Sequence, residues 1–175
     1  MNIRLIANTA GYILWVEAGF LLLPLLVSFI YADGCWSTFL LCAAICFVVG
    51  TLLRLCKAKR TNLHNRDGYA TVALAWLLLT LFGALPYVFT GAIPHYIDAV
   101  FETASGLTTT GASVLTQIEG LPNSVLFWRA QTQWMGGMGV LVFLLAVTPS
   151  DAQGKGFTMH ILRAESPGPD VGKLV

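Results

Sequence analysis

Residues 98–114 read Asp98-Ala-Val-Phe-Glu-Thr-Ala-Ser-Gly-Leu-Thr-Thr-Thr-Gly-Ala-Ser-Val114, a run of small and hydroxylated residues between two long apolar segments. A bilayer tolerates non-helical backbone at depth only where that backbone is buried in protein or lines a watery cavity. A Thr-Thr-Thr-Gly stretch in this position therefore needs a physical reason. We interpret the stretch as part of an ion pathway in which backbone oxygens coordinate a cation.

The composition is that of a membrane protein. Hydrophobic residues make up 56% of the chain, the mean hydropathy is +0.72 and only 11% of residues are charged, against roughly 25% in a soluble domain. Since a helix needs about 20 apolar residues to cross a bilayer, we predict an all-α integral membrane fold with transmembrane helices at Leu5–Ile30, Trp36–Leu53, Tyr69–Thr90 and Ser124–Thr148. A signal peptide is the alternative for the first span, but the apolar run is too long and no cleavage site precedes a soluble domain.

The basic residues predict the orientation of these helices. With four crossings they all fall on one side of the membrane, and the positive-inside rule makes that side the cytoplasm. Both termini are then cytoplasmic, residues 91–123 face outward, and the basic loop follows from topology, so we expect contact with membrane lipid and no nucleic-acid partner. The basic residues outside the predicted spans are Arg4, Arg54, Lys57, Lys59, Arg60, Arg66, Lys155, Arg163 and Lys173.

The outward segment predicts a re-entrant pore helix followed by a filter loop. The stretch Pro94–Leu107 is compatible with a helix only about 20 Å long, too short to cross the membrane. We expect Pro94 in its first turn, an end near Gly106, and extended backbone through the threonines up to Gly111, because β-branched residues favour extended chain. The helix carries an apolar face made of Ile97, Val100, Phe101 and Ala104.

The predicted loop suits a cation and requires no enzyme chemistry. The carboxyl end of a helix carries partial negative charge, which lowers the cost of a bare cation inside the membrane. Carbonyl oxygens from several such loops, helped by threonine hydroxyls, replace the hydration shell of an ion such as potassium. No cofactor is implied, since the sequence shows no cluster of nucleophile, base and acid. The cysteines follow no metal-binding pattern: Cys35, Cys42, Cys46 and Cys56.

A family resemblance becomes specific at these residues. The order of outer helix, pore helix, Thr108-Thr-Thr-Gly-Ala112 and inner helix resembles the first repeat of the Trk/Ktr/HKT superfamily of cation transporters, most closely the bacterial TrkH type. The stretches Phe127–Arg129 and Gln133–Gly139 resemble the start of that family's inner helix, and the stretches Gly154–Gly156 and His160–Pro169 resemble its cytoplasmic linker. The resemblance implies potassium uptake across the bacterial inner membrane, by passive flow or gradient-coupled symport, with a TrkA-type nucleotide-binding regulatory subunit as the expected cytoplasmic partner.

The same resemblance divides the chain into three parts. Residues 1–66 correspond to an additional N-terminal helix pair with its basic loop, 67–150 to the first helix–pore loop–helix repeat, and 151–175 to a linker. Because a family member carries four repeats around one pore, we expect this chain to be an N-terminal fragment. A homo-oligomer of single repeats and a non-conducting fragment that assembles with or interferes with full-length relatives stay open as alternatives. A membrane enzyme is disfavoured by the filter motif.

The resemblance also implies the site residues. The ion-contacting backbone carries over to Thr109 and Thr110, where we expect potassium, with Thr108 and Gly111 flanking. Taken alone, the same residues are also compatible with an ordinary turn after a helix. The segment keeps one glycine where potassium channels have Thr-Val-Gly-Tyr-Gly, so sodium stays open as an alternative ion.

Five further residues are candidates for supporting the pore. We expect Glu102 to hold the pore helix by hydrogen bonding, the alternative being that it raises the local cation concentration. Charge inside a membrane is costly, so Arg129 is a candidate for a functional role. The alternative is that its side chain snorkels to the lipid headgroups. The other three candidates are glycines of the inner helix: Gly136, Gly137 and Gly139. They indicate either close helix packing or a flexible gate, and the gate is what the family resemblance implies.

Overall fold

The computed structural model describes the backbone of residues 3–55 and 65–147 and the side chains of 7–55 and 70–139. These residues form helices and no strand, which confirms the all-α fold class. The helices are α1 (Ile3–Tyr31), α2 (Trp36–Arg54), α3 (Asn65–Gly83), α4 (Leu85–Phe89), α5 (Tyr96–Leu107) and α6 (Asn123–Val147). Within the described part of the chain, three stretches are long and apolar enough to cross a membrane: Ala7–Tyr31, Trp36–Arg54 and Ala70–Phe89.

The predicted spans correspond to helices, with two differences. The third predicted span is interrupted at Ala84, between α3 and α4, because Pro86 has no backbone N–H with which to continue the helical hydrogen bonds. The helix α6 occupies the fourth predicted span, but its side chains are described only to Gly139, so its crossing of the membrane stays a prediction. The predicted basic loop after Leu55 and the predicted linker 151–175 lie outside the described residues.

The helices α1 and α2 form a closely packed antiparallel hairpin. A Cβ atom added to Gly50 would lie 2.8 Å from the Gly11 carbonyl oxygen, and one added to Gly11 would meet the Gly50 carbonyl oxygen in return. Small residues at a crossing let two helix backbones approach in this way. Beside the crossing, Trp15 stacks on Phe47 with ring centroids 5.2 Å apart and donates its Nε1 hydrogen to the Thr51 hydroxyl.

The helix α6 is attached to α1 and α3 by side-chain N–H groups that bind backbone carbonyls. Pro24 lies inside α1 and cannot donate to the Phe20 carbonyl one turn earlier. Gln131 of α6 donates to that carbonyl at 3.0 Å, and Trp128 donates to the Gly83 carbonyl, at the end of α3, at 2.9 Å. Because an unsatisfied carbonyl inside a membrane costs several kcal/mol, these two bonds fix α6 in place.

The turn between α1 and α2 is tied to the start of α6 by Asp33. Its Oδ2 accepts the backbone N–H of Ser124, the second residue of α6, at 2.9 Å, and its Oδ1 accepts the Cys35 N–H and the Ser28 hydroxyl. Burial raises the pKa of the Asp33 carboxyl, but the hydrogen bonds from Ser124 and Ser28 outweigh burial and leave the pKa below its usual value. A carboxylate at a helix N-terminus is also favoured by the helix dipole.

We predict that replacing Asp33 with alanine lowers the free energy of unfolding by about 1 kcal/mol at neutral pH, the usual effect of removing a helix-capping side chain. Since the pKa of Asp33 is depressed in the folded state, the ionised carboxylate stabilises the fold above its unfolded pKa. The parent therefore loses this advantage as the pH falls below about 4. Thermal unfolding at several pH values checks this, with Glu119→Ala in an exposed loop as the control. Equal pH dependence in the parent and Asp33→Ala would contradict it.

Candidate ion-binding site

The short helix α5 differs from its prediction at its start and in its orientation. It begins at Tyr96, so Pro94 precedes the helix and is not in its first turn. Its predicted apolar face is only partly buried: Ile97 is 81% and Phe101 49% exposed, whereas Val100 and Ala104 are half-buried and Val100 packs against the core. The buried face is instead formed by Ala99, Glu102, Thr103, Ser105 and Leu107. A polar buried face is favoured here because α6 presents a charged partner, Arg129, to this side of the helix.

The carboxyl end of α5 is closed by a Schellman motif. The backbone N–H of Thr109 donates to the Gly106 carbonyl at 2.9 Å and that of Thr110 donates to the Ser105 carbonyl at 3.0 Å, the paired bonds that define this motif. The residue in the left-handed position, usually glycine, is Thr109, with φ of 55°. For a β-branched residue this conformation is a genuine outlier, costing on the order of 1–3 kcal/mol.

The predicted extended run of threonines is therefore wrong for its first two members. Thr108 has φ of −84° and ψ of 1° and continues the helical turn, while Thr109 is left-handed. The capping hydrogen bonds donated by Thr109 and Thr110 outweigh the preference of threonine for extended backbone. The local backbone is thus a helix-ending turn, as the simpler interpretation of the sequence had it, but one that holds a strained residue.

The segment Thr108–Gly111 presents oxygen atoms at the surface of the described chain. All its residues are exposed, and the Thr108 and Thr110 hydroxyl oxygens lie 2.8 Å apart. Gly111 has φ of 77°, a conformation that glycine adopts without strain. Hydroxyl and carbonyl oxygens at the negative end of a helix dipole are the type of ligand that a hard cation prefers.

Glu102 joins three parts of the site. Its carboxylate accepts the Ser113 hydroxyl at 3.0 and 3.1 Å, the Val114 backbone N–H at 3.0 Å and the Arg129 Nε hydrogen at 2.6 Å. The Glu102 side chain is 2% exposed and that of Arg129 is 29% exposed. One carboxylate on α5 thereby holds the chain that returns after Gly111 and the first half of α6.

The three candidate glycines of α6 have three different environments. A Cβ atom on Gly136 would lie within 2.8 Å of the Leu107 Cα atom and closer still to the Leu107 carbonyl group, so α6 contacts the end of α5 backbone to backbone. Gly137 is open, its nearest neighbour being the Thr109 methyl group at 4.0 Å from an added Cβ. Gly139 interrupts the helix with φ of 73° and ψ of 144°.

The comparison with protein families identifies the group to which this arrangement belongs. The profile of the TrkH family, described as cation transport proteins, matches residues 36–173. The chain belongs to the TrkH family. The resemblance seen in the sequence is thereby confirmed, and with its apolar helices the chain is a multi-pass membrane protein.

Individual TrkH-family relatives match almost the whole chain. The Trk system potassium uptake protein TrkH of Halomonas elongata is 42% identical over 171 residues, which are 97% of this chain and 35% of that protein. The TrkH of Escherichia coli K12 is 37% identical with the same coverage. The crystal structure of the potassium transporter TrkH from Vibrio parahaemolyticus superposes with a TM-score of 0.77 at 32% identity, over 94% of this chain and 36% of that one. The chain thus spans about a third of the length of these relatives.

Within this TrkH-family fold, most of the candidate residues lie close together. Thr108–Gly111 end the helix that carries Glu102, Arg129 pairs with Glu102, and Gly136 contacts the residue before Thr108. Gly139 lies at the helix break. Sequence reasoning missed Ser113 and Val114, which bind Glu102, and the close contact of Gly106 with the Thr132 hydroxyl, 2.6 Å from an added Cβ. The sequence signal that could have identified Ser113 as a partner of Glu102 is its hydroxyl group, two positions after Gly111.

We predict that Glu102 and Arg129 are energetically coupled. Because each neutral variant leaves the other charge partly buried without its partner, Glu102→Gln and Arg129→Gln should each lower the free energy of unfolding by about 2 kcal/mol. The double variant should lose at least about 1 kcal/mol less than the sum of the two. Denaturant unfolding in detergent micelles measures the stability of the parent, the two single variants and the double variant, which form a double-mutant cycle. Simple additivity of the two changes would show that the pair contributes no coupling.

We predict opposite outcomes for adjacent glycines of α6. Gly136→Ala should destabilise the protein by about 1–3 kcal/mol, as overpacking does, because the new methyl group meets Leu107 backbone that has no side-chain freedom. Gly137→Ala, the matched control, meets open space and should be neutral or stabilising by up to about 1 kcal/mol through helix propensity. Thermal unfolding of both variants checks this. Equal stabilities of the two would contradict the close contact at Gly136.

Proposed function

We propose that the chain forms the first pore repeat of a potassium-uptake protein of the bacterial inner membrane and that Thr108–Gly111 is part of its selectivity filter. The observation that carries the proposal is the strained Thr109 at the end of α5. Strain of this kind persists only where the surrounding structure holds it, and it concentrates at functional sites. Here Glu102, on the same short helix, holds the chain that leaves the segment.

The proposed ion is potassium, coordinated by the backbone carbonyls of Thr109 and Thr110. The relatives from Halomonas elongata and Escherichia coli are named potassium uptake proteins, which favours potassium over sodium. Carbonyl oxygens at the negative end of a short helix replace the hydration shell of such an ion. In this proposal α5 is a re-entrant pore helix, Glu102 and Arg129 position the segment, and Gly136 lets α6 approach it. No enzymatic step is involved.

One such segment cannot surround an ion, so the proposal includes further repeats, supplied either by a longer chain or by other copies. Both α5 and α6 carry large exposed apolar side chains that either lipid or a further repeat could cover: Ile97, Phe101, Trp134 and Met138. The same surface also suits the second candidate function, a chain that assembles with relatives without conducting. Uptake measurements on the chain separate the two.

The orientation proposed for the protein follows the positive-inside rule. Both termini and the basic residues outside the predicted spans face the cytoplasm, and the segment with α5 faces outward. A TrkA-type nucleotide-binding subunit would then bind on the cytoplasmic side and regulate flow, which is either passive or coupled to an ion gradient. Cysteine-accessibility labelling from each side of the membrane would test this topology.

We predict that Thr109→Gly stabilises the fold while impairing its selectivity. Glycine removes the left-handed strain, a gain of about 1 kcal/mol, but it also loosens the backbone that carries the proposed ion ligands. In a TrkH-family protein containing this sequence, rubidium uptake should then be inhibited by sodium more strongly than in the parent. Thr116→Gly, in the exposed loop, is the matched control. It should neither stabilise the fold nor change the inhibition of rubidium uptake by sodium.

The decisive experiment is potassium-dependent growth and rubidium uptake in an uptake-deficient bacterium. The 175-residue chain and a complete TrkH-family protein containing it are each compared with their Thr109→Ala/Thr110→Ala versions. Loss of uptake or of selectivity in the complete double variant, with membrane insertion retained, supports the proposed filter. Unchanged uptake and selectivity there would overturn it. Rescue by the 175-residue chain alone would show that copies of single repeats assemble, whereas insertion without rescue favours the non-conducting candidate for the isolated chain.

A further inference from the structure

The end of the α1–α2 hairpin opposite to Asp33 holds an arginine against two aromatic rings. The guanidinium carbon of Arg54 lies 4.1 Å from the centroid of the Tyr12 ring and 4.0 Å from that of the Trp15 ring. Its Nη2 donates to the Tyr12 hydroxyl oxygen at 2.9 Å. The stem of Arg54 packs on Gly11, where a Cβ atom would lie 2.7 Å from the Arg54 Cγ. The cation is therefore held in one position by four contacts.

Arg54 has cation–π contacts but no counter-charge in the described part of the chain. The structure gives it no carboxylate within ion-pair distance there, and its Nε is buried without a hydrogen-bond acceptor. The two rings are inclined at 71° to each other, so together they shield the guanidinium from water without sandwiching it, and burying its Nε–H donor without an acceptor costs free energy. The cation–π contacts stabilise the guanidinium, but among the described residues its positive charge has no anionic partner.

The position of Arg54 along the hairpin corresponds to the membrane boundary. The candidate span of α2 ends at Arg54, and Tyr12 and Trp15 of α1, whose rings contact the Arg54 guanidinium, lie at the same end of the hairpin. Arginine at the end of a span, with tyrosine and tryptophan beside it, is the pattern found at headgroup level. The anion that is concentrated at this depth is the phosphate of a phospholipid.

We propose that Arg54 and Tyr12 form a binding site for the headgroup phosphate of an anionic phospholipid. The free edge of a planar guanidinium donates two parallel hydrogen bonds to phosphate oxygens. Because the Tyr12 oxygen accepts from Arg54, the tyrosine's own hydrogen is available as a third donor to the same phosphate. The acyl chains would follow the exposed apolar residues Val48 and Leu52 of α2, which lie on the turns before Arg54.

Binding of a lipid at Arg54 differs from the non-specific attraction of anionic lipids to a basic segment. The sequence continues after α2 with Lys57, Lys59 and Arg60, and such a segment attracts anionic lipid through charge alone. A clamped arginine predicts something more specific, namely that affinity depends on one side chain and on the hydroxyl of its neighbour. Neutralising the three residues that follow should then matter less than neutralising Arg54.

Native mass spectrometry of the 175-residue chain released from neutral detergent micelles tests this assignment. The chain is titrated with phosphatidylglycerol, with phosphatidylcholine of the same acyl chains, and with inorganic phosphate. We expect phosphatidylglycerol to bind about tenfold more tightly than phosphatidylcholine, because the choline cation is repelled by Arg54. Arg54→Gln should weaken phosphatidylglycerol binding about tenfold, and Tyr12→Phe, which keeps the ring, about threefold, in line with the loss of charged and neutral hydrogen bonds. Lys57→Gln/Lys59→Gln/Arg60→Gln should retain most of the affinity.

Several outcomes would overturn the proposal. Unchanged phosphatidylglycerol affinity in Arg54→Gln and Tyr12→Phe would show that the clamp binds no lipid. A loss in the triple variant as large as that in Arg54→Gln would assign the binding to the basic segment, and displacement of the lipid by inorganic phosphate at equal concentration would assign it to free anions. Circular dichroism establishes that each variant keeps its helices. If Arg54→Gln does not, Tyr12→Phe decides, since it preserves the stacked ring.

Discussion

The arrangement of the candidate site depends on the carboxylate of Glu102. It is buried on α5 and accepts hydrogen bonds from a serine hydroxyl, a backbone N–H group and the Arg129 guanidinium, which belong to two other parts of the chain. A buried carboxylate is stable only when such donors surround it. This requirement turns the polar face of α5 inward and leaves Ile97 and Phe101 outside, although a hydrophobic pattern alone would favour the opposite orientation.

The geometry of the threonine segment follows from this fixed helix. Once α5 is held by Glu102 and by the backbone contact of Leu107 with Gly136, the chain must turn sharply to reach Ser113, which is bound to the same carboxylate. The Schellman motif makes that turn and places Thr109 in a left-handed conformation. Glycine would make the turn without strain. A threonine there adds a hydroxyl group and a stiffer backbone at a cost of a few kcal/mol at most, which is the exchange expected where fixed oxygen positions matter more than stability.

Much of the fold could be predicted from the sequence because it depends on local patterns. Long apolar runs give the membrane helices, and the helical spacing of residues 94–107 located α5 to within a turn. The sequence also allowed the interruption of the third span near Pro86 to be predicted, since proline removes a helical hydrogen bond. What could not be predicted are contacts between distant residues: Glu102 with Arg129, 27 positions apart, and Asp33 with Ser124, 91 positions apart. Three glycines of α6 look alike in sequence, and only tertiary structure shows that Gly136 contacts Leu107 while Gly137 faces open space.

The proposed filter requires the backbone of the threonine segment to contact a monovalent cation. Anomalous X-ray diffraction tests this contact directly, with crystals of a complete TrkH-family protein containing this sequence grown with rubidium in place of potassium. If Thr109 and Thr110 coordinate the ion, an anomalous peak will lie in direct contact with their carbonyl oxygens. Well-ordered density for the segment with rubidium bound elsewhere in the pore, or bound to the Glu102 carboxylate, would contradict it.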